Sequence, residues 1–330
     1  MTAHPVPERP VVVVGGGIAG VACARVLADR GLPVRIVDRG KRMGGRMAVR
    51  HEDVDGVRRA IDIGASYFTV HDERFAAVVE GWRRRGLARV WTSTMRVLSP
   101  DRPDAGADGV ERWAAADGLR SLVEDLAAGI PVVQGREIEE VDLGDRLLVD
   151  GEPAAAAVLA MPEPQAYDLL PEPVAESMGL GRGLDWSPTI AVWAAWSERW
   201  WGDLDGAFVD GSPVVAWIAD DGRRRGDGAA VLVAHATGVL ASARLDQPAS
   251  VVEPVLAEVG KLLGTSVPDP LWVRWHRWSL ASPRHPHEAS FALSDHPVGV
   301  CGDAWGPRAR IEQAWISGHE LGLALLTRLR

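Results

Sequence analysis

Apolar positions along this chain follow two periods. Val11–Val14 is a β-branched run with no polar alternation, which predicts a buried parallel strand. After three glycines, Ile18, Val21, Ala22, Val26 and Leu27 recur at helical spacing, and Gly31 supplies a stop after Arg30. VRIVD (34–38) predicts a second strand, so residues 11–38 read as a βαβ unit. Further along, TIAVWAAW, GSPVVAWIA and AAVLVAHAT read as short strands between glycine-rich turns. Helical patterns fall at 72–86 and 249–263, and the alanine run at 153–157 reads as a strand or its approach. Near the end, VGVC predicts a strand and IEQAWISGHELGLALLTRL a helix, with Ile311, Ala314, Trp315, Leu321 and Leu325 mostly on one side. Strands alternating with helices predict an α/β fold.

Each glycine of the first turn has an expected role. Gly15 permits the tight turn, Gly17 admits a pyrophosphate to the backbone, and Gly20 lets the helix pack closely on the strand. Ile18 and Ala19 open a helix whose N-terminus carries about half a positive charge. Asp38 stands where a carboxylate accepts hydrogen bonds from ribose hydroxyls. The combination predicts a dinucleotide site, and an acid at position 38 argues against a 2′-phosphate.

Composition narrows the partners. The chain has 330 residues, enough for one large domain or two ordinary ones. A formal charge of −9 disfavours nucleic acid and anionic membranes as partners. The runs Arg83–Arg84–Arg85 and Arg223–Arg224–Arg225 are therefore expected to be solvated faces. With two cysteines and no CxxC, a dithiol redox centre is not expected. The opening MTAHPVPERP lacks signal-peptide character, and no apolar run approaches the ~20 residues of a membrane span. A soluble, cytoplasmic protein is the expectation. HRWSLASPRHPHE holds three histidines without a regular metal spacing, so no metal is expected. Tryptophan is abundant, at 14 residues against 2 tyrosines and 4 phenylalanines, and some of the indoles are candidates to line a slot for a flat ligand.

The stretch RGKRMGGRM (39–47) resembles the segment that follows the second strand in flavoproteins of the amine-oxidase superfamily. That resemblance implies that Gly44 and Gly45 pass close to an FAD diphosphate and that Arg46, with Arg42, helps neutralise it. Arg39 and Met47 flank the same loop. In GDAW, after the strand VGVC, Gly302 and Asp303 would meet the ribityl hydroxyls. The first turn of the last helix, with Ile311, Glu312 and Ala314, would direct its positive end at the flavin ring. No second GxGxxG follows a strand, so a pyridine-nucleotide reductase is not expected. Electrons would come from a small-molecule substrate, with molecular oxygen the simplest acceptor.

Over nearly its full length the chain resembles the renalase-like branch of the flavin amine-oxidase superfamily. The matching pieces are GGGIAG, Asp38, MGGRM, DIGASYFTVHDERFAAVVEGW (62–82), WAAADGLRSLVEDLA (113–127), VLAMPEPQAYDLL (158–170), VAHAT, HRWSLASP and GVCGDAWGPRARIEQAWISG. The resemblance implies noncovalent FAD in a discontinuous Rossmann-like, doubly wound domain of residues 1–70, 112–165 and 290–330. A second, mixed-sheet α+β substrate domain would span 71–111 and 166–289. It adds Gly64, Ala65, Ser66 and Ile138 to the expected cofactor contacts. The chemistry implied is hydride transfer from an isomeric dihydronicotinamide nucleotide to flavin N5, with oxygen leaving as hydrogen peroxide. This asks for a flat slot rather than for acids or bases. Ser66 stands where the family pattern leads one to expect glutamine, and Leu280 where an aromatic residue is expected.

Five residues are the candidates to touch substrate. Tyr67 follows DIGAS at a loop edge. Trp217 and Trp278 lie on strand-like runs of the second domain, and Trp305 follows Asp303 by two positions. His235 sits mid-strand in VLVAHAT and would hydrogen-bond the substrate. Each has a plain alternative as core packing. Two other functions fit the same flavin domain: an amine oxidase or desaturase for another small metabolite, and a flavoprotein of low turnover with a structural or sensing role.

Overall fold

The computed structural model describes residues 9–102, 104–107, 109–183 and 185–329. Most of the opening decapeptide lies outside them. Two compact units emerge. The first takes the described residues of 1–46, 123–185 and 283–330, and the second takes 47–122 and 186–282.

The first unit is built on a six-stranded sheet in the order Ala292–Leu293, Val298–Val300, Ala156–Leu159, Val11–Val14, Val34–Asp38, Val132–Gln134. All neighbours are parallel except the Ala292–Leu293 edge. Val11–Val14 forms as the sequence predicts, and every residue in it is buried. It is the switch point of the sheet, because the chain leaves it for Val34–Asp38 on one side and returns as Ala156–Leu159 on the other. Ligands of open α/β sheets bind outside the strand ends at such a point.

Two helices cover one another in this unit: Ile18–Ala28, and Ile311–Arg328 near the end of the chain. Glycine lets them touch. A Cβ at Gly318 would fall 1.8 Å from the Ala19 carbonyl oxygen, and one at Gly322 would fall 3.1 Å from that of Cys23. Spaced one turn apart, the two glycines cut a groove into the last helix, and the first helix fills it.

The second unit centres on a seven-stranded sheet. Its order is Trp272–Pro283, Trp186–Ala195, Val231–Ala236, Val215–Asp220, Gly206–Val209, Met95–Leu98, Ala105–Ala107. Alternation sorts its faces. Val192, Ala194, Ile218, Leu232 and Ala234 pack on Val255 and Val259 of the helix Val252–Leu262. Trp193, Ala195, Val231 and Val233 face the other way, onto Val54, Ile61 and Ile63. Those last three belong to the hairpin Val49–Val54/Val57–Asp62 or follow it directly. This packing gathers residues 47–70 and 112–122 into the second unit, whereas the sequence reading assigns them to the nucleotide-binding domain. The described residues of 166–185 and 283–289 fall in the first unit instead.

The expectation for Arg223–Arg225 needs correction. Residues Asp221–Arg225 form a short helix, and a Cβ at Gly222 would meet the Ala229 carbonyl oxygen at 2.0 Å. Arg224 is 0% exposed and Arg225 7%. Only Arg223 faces outward, toward Asp203 and Asp205. The run is buried because two carboxylates are buried with it. Arg224 Nε donates to Asp221 Oδ1 at 2.9 Å, and Arg225 pairs with both Asp62 and Asp221. Such a network is costly to break, since losing one member strands a buried charge. Arg83–Arg85, at the end of the helix Glu73–Arg84, is exposed as expected. Among the described residues no helix is long and apolar enough to cross a membrane.

The glycine groove can be tested directly. Gly318→Ala should destabilise the fold by about 1–3 kcal/mol, because the added methyl overpacks a backbone contact. Urea unfolding measures this, and an unchanged midpoint would contradict the groove.

Candidate functional site

The glycine turn of the first unit leaves little freedom. Gly15 has φ +109°, and a Cβ there would meet the Ala160 carbonyl oxygen at 2.4 Å. A Cβ at Gly20 would meet the Gly15 carbonyl oxygen at 2.2 Å and Val13 at 3.1 Å, which is the close helix–strand packing expected of it. Gly17 differs: its Cβ would meet nothing within 4 Å. It caps a helix with no side-chain cap and no acid in its first turn. That leaves open space in front of a positive helix end.

Asp38 ties the turn together. Its Oδ2 accepts from Gly16 N and its Oδ1 from Gly40 N, each at 2.6 Å. A Cβ at Gly16 would fall 2.7 Å from Asp38 Oδ2. Gly16 is therefore constrained, as Gly15 and Gly20 are, although the sequence reading gave it no role. The next loop lies on the same turn. Gly44 N donates to Gly16 O at 2.8 Å, and a Cβ on Gly45 would come within 3.5 Å of Gly17 Cα.

The two distant motifs meet here. Arg46 forms a two-pronged ion pair with Asp303, with Arg46 Nη1 donating to Oδ2 at 2.9 Å. Paired, planar geometry of this kind is the strong form of the interaction. Gly302 N donates to Ser317 Oγ at 3.0 Å, fixing the turn on the last helix. Trp305 is 3% exposed and stacks on His287, with ring centroids 4.0 Å apart and planes 9° from parallel. His287 Nε2 lies 3.2 Å from buried Glu163, and Gln313 Nε2 donates to the Trp305 carbonyl at 2.8 Å.

These residues fit an FAD. The open face at Gly17 and the uncapped helix end suit a diphosphate. The Asp38 carboxylate keeps lone pairs for a ribose, since two donors do not exhaust it. Asp303 would take a polyol. Arg39 is exposed and pairs with Glu137 at 3.4 Å, Arg42 is exposed, and Ile138 is buried. Ile311, Glu312 and Ala314 are buried in the first turn of the last helix. Met47, Gly64, Ala65 and Ser66 lie in the second unit, where Ser66 O accepts from Arg224 at 3.0 Å.

Four of the five expected substrate residues are brought together in that second unit. Trp217 and His235 are direct partners across neighbouring strands, so both side chains leave the same face. Tyr67 and Trp217 have ring centroids 5.6 Å apart at 41°. The Ile63 carbonyl accepts from Trp278 Nε1 at 3.0 Å and also from His235. His235 makes that bond through its other ring nitrogen, because its buried Nε2 has no partner among the described residues. Burial, and then the Arg224 guanidinium, hold the imidazole down to about 4, against the opposing bond to Ile63. His235 is thus neutral at pH 7. Trp305, the fifth, belongs to the first unit.

The sequence reading missed Trp91, Phe208 and Arg112. Trp91 lies 6.4 Å from both Tyr67 and Trp217, and Phe208 5.1 Å from Trp217. In the sequence they carry no motif, and only strand pairing brings them together.

Known proteins bear on this geometry. A family model described as NAD(P)-binding Rossmann-like domain matches residues 13–82, and one described as flavin containing amine oxidoreductase matches residues 83–320. The chain is similar to hydroxyneurosporene desaturase of Rubrivivax gelatinosus, at 46% identity over 78 residues, 23% of this chain and 14% of that one. It is also similar to (S)-6-hydroxynicotine oxidase of Paenarthrobacter nicotinovorans, at 32% over 139 residues, 40% of this chain and 31% of that one. Matched stretches thus span less than a third of these relatives. Cyclohexylamine oxidase from Brevibacterium oxydans shares the fold, with a TM-score of 0.71 at 14% identity over 98% of this chain and 100% of that chain.

Gly17→Ala should leave stability within about 0.5 kcal/mol, since its methyl enters open space, yet lower FAD retention. Equilibrium dialysis decides it: wild-type retention in this variant would mean that the space is not the diphosphate's. His235 gives a second outcome. Its folded value of about 4 lies below the usual 6.5, so between these pH values the unfolded chain binds more protons. The contribution to stability is complete above pH 6.5 and falls by about 2–3 kcal/mol as the pH drops to 4. In denaturation at several pH values, His235→Asn should lack that slope.

Proposed function

The chain belongs to the flavin containing amine oxidoreductase family, and on that premise we propose that it is an FAD-dependent oxidase taking a hydride from a small flat ring. An isomeric dihydronicotinamide nucleotide, as in renalase-type enzymes, is the substrate this reading favours. When bound, FAD supplies the two-electron acceptor, and molecular oxygen carries the electrons away as hydrogen peroxide.

The observation that carries the reading is the face around Trp217 and His235. It offers flat rings and an uncharged imidazole. Burial pushes Cys301 up to about 12 and raises Cys23 as well, so neither thiol supplies a nucleophile. An electron-rich dihydro ring needs only to be held flat and in place. Tyr67 and Trp217 would flank it, and Trp278 would support the Ile63 carbonyl. His235 Nε2 accepts a hydrogen bond from the substrate and the Trp217 indole N–H donates one. In the other unit, Asp38 and the glycine turn would hold the nucleotide end of FAD, and Arg46 and Asp303 would serve its diphosphate and ribityl chain.

A second reading, oxidation of an amine or desaturation of another small metabolite, draws on the similarity to (S)-6-hydroxynicotine oxidase and hydroxyneurosporene desaturase. Anaerobic stopped-flow at the flavin absorbance separates the two. The expected result is rapid bleaching by 2- or 6-dihydro-NAD(P), with little response to ordinary NADH. Bleaching by a primary or secondary amine instead would move the assignment to the second reading. No bleaching by any of them would sink both.

A further inference from the structure

One buried carbonyl in the second unit serves two side-chain donors. Ile63 is 0% exposed, and its oxygen accepts from Trp278 Nε1 at 3.0 Å and from His235. The backbone around it is fixed from both sides. Ile63 N donates to Ala48 O at 3.2 Å. Just before it, the Asp62 carbonyl accepts from Arg224 Nη2 at 3.0 Å, and just beyond it the Ser66 carbonyl accepts from Arg224 Nη1, also at 3.0 Å. A single guanidinium thus clamps residues 62–66. The rigid fork of arginine suits this task, whereas an ammonium offers one compact point of charge.

The clamp is itself held. Arg224 Nε donates to Asp221 Oδ1 at 2.9 Å, and Arg225 Nη2 reaches the same oxygen at 3.3 Å. Arg224 is 0% exposed and Asp221 2%. Asp221 therefore neutralises the guanidinium and also sets the angle at which it meets the two carbonyls. Asp62 Oδ1 accepts from Leu119 N at 2.9 Å, which ties the start of the clamped segment to the residues after Gly118. A buried ion network adds little net stability, and what this one fixes is geometry.

That geometry reaches His235. The imidazole bonds the Ile63 carbonyl through Nδ1, because its buried Nε2 has no partner among the described residues. In an uncharged imidazole, the bond made by one nitrogen decides where the proton sits. A carbonyl can only accept, so the proton is on Nδ1 and Nε2 carries a lone pair. His235 shares its sheet face with Trp217, its partner on the neighbouring strand.

We propose that Arg224 and Asp221 are positioning residues for His235: by holding residues 62–66 they keep the Ile63 carbonyl on the imidazole, which locks the proton on Nδ1 and leaves Nε2 as an acceptor for an N–H or O–H of the ligand. The inference rests on the reading that this face receives the substrate. It adds how the acceptor is set, and that the ligand atom meeting it must carry a hydrogen. With the proton on Nε2 instead, the same side chain would ask the ligand for an acceptor, and the buried Ile63 carbonyl would lose a donor.

NMR of ring-nitrogen-labelled histidines in the FAD-loaded protein at pH 7 reads the tautomer, with His235→Asn identifying the signals. Wild type should show Nδ1 protonated and Nε2 bare. Arg224→Lys keeps a positive charge beside Asp221 but loses the fork, so a second set of His235 signals, from the other tautomer, should appear. Gly318→Ala, which loosens the helix packing of the other unit, should keep the single set, so general destabilisation does not mimic the effect. A wild-type proton on Nε2, or on both nitrogens, overturns the proposal even if Arg224→Lys does not fold. An Arg224→Lys spectrum identical to that of wild type overturns it as well. Flavin bleaching by dihydronicotinamides together with a proton on Nε2 would remove only the positioning role. A proton on Nδ1 without any bleaching would remove only the oxidase reading.

Discussion

One carboxylate holds the nucleotide cradle in shape. Asp38 grips the backbone of the glycine turn through Gly16 and that of the following loop through Gly40, both at 2.6 Å. The second strand, which ends at Asp38, is thereby joined to the turn that follows the first strand. The Gly44 loop then rests on Gly16. Remove the grip and the turn, the arginine loop and the helix end lose their common reference. The side chain that would bind a ribose is thus also the one that shapes the place where the ribose would sit. Close backbone approach, permitted only where no Cβ intrudes, is the condition for all of it.

Local rules made part of this legible. The strand, turn, helix and strand of residues 11–38 are written in contiguous residues, and they form as read. Gly15 and Gly20 do what a tight turn and a close helix require. Gly16 escaped notice because its constraint is a side chain 22 positions away. Gly318 escaped for the same kind of reason, since its partner is the Ala19 backbone near the other end of the sequence. Arg224 and Arg225 misled most. Three consecutive arginines look like a wet surface until Asp62 and Asp221 are seen buried against them. A charge run carries no mark of the distant acids that will neutralise it.

The candidate substrate face was half legible. Tyr67, Trp217, His235 and Trp278 stand in separate stretches of the sequence, and strand pairing, ring contact and the Ile63 carbonyl draw them together. Trp91, Phe208 and Arg112 were invisible because nothing in a one-dimensional pattern says which rings will share a face. One of the arginines that disguise themselves as surface also touches this face: Arg224 holds the Ser66 carbonyl, stands over Trp91 and adds to the burial that keeps His235 uncharged. Structural support and chemical character come from one buried guanidinium.

The Arg46–Asp303 pair bridges residues 257 positions apart, and the groove of Gly318 and Gly322 is filled by a helix that begins at Ile18. Closing a loop of that length costs entropy before any contact returns it. The glycine turn can therefore form from local residues, while its packing on Gly318 and Gly322 has to be won by closing a long loop. The cradle is thus completed by contacts between distant stretches of the chain, and the contiguous turn of residues 11–38 is only one wall of it.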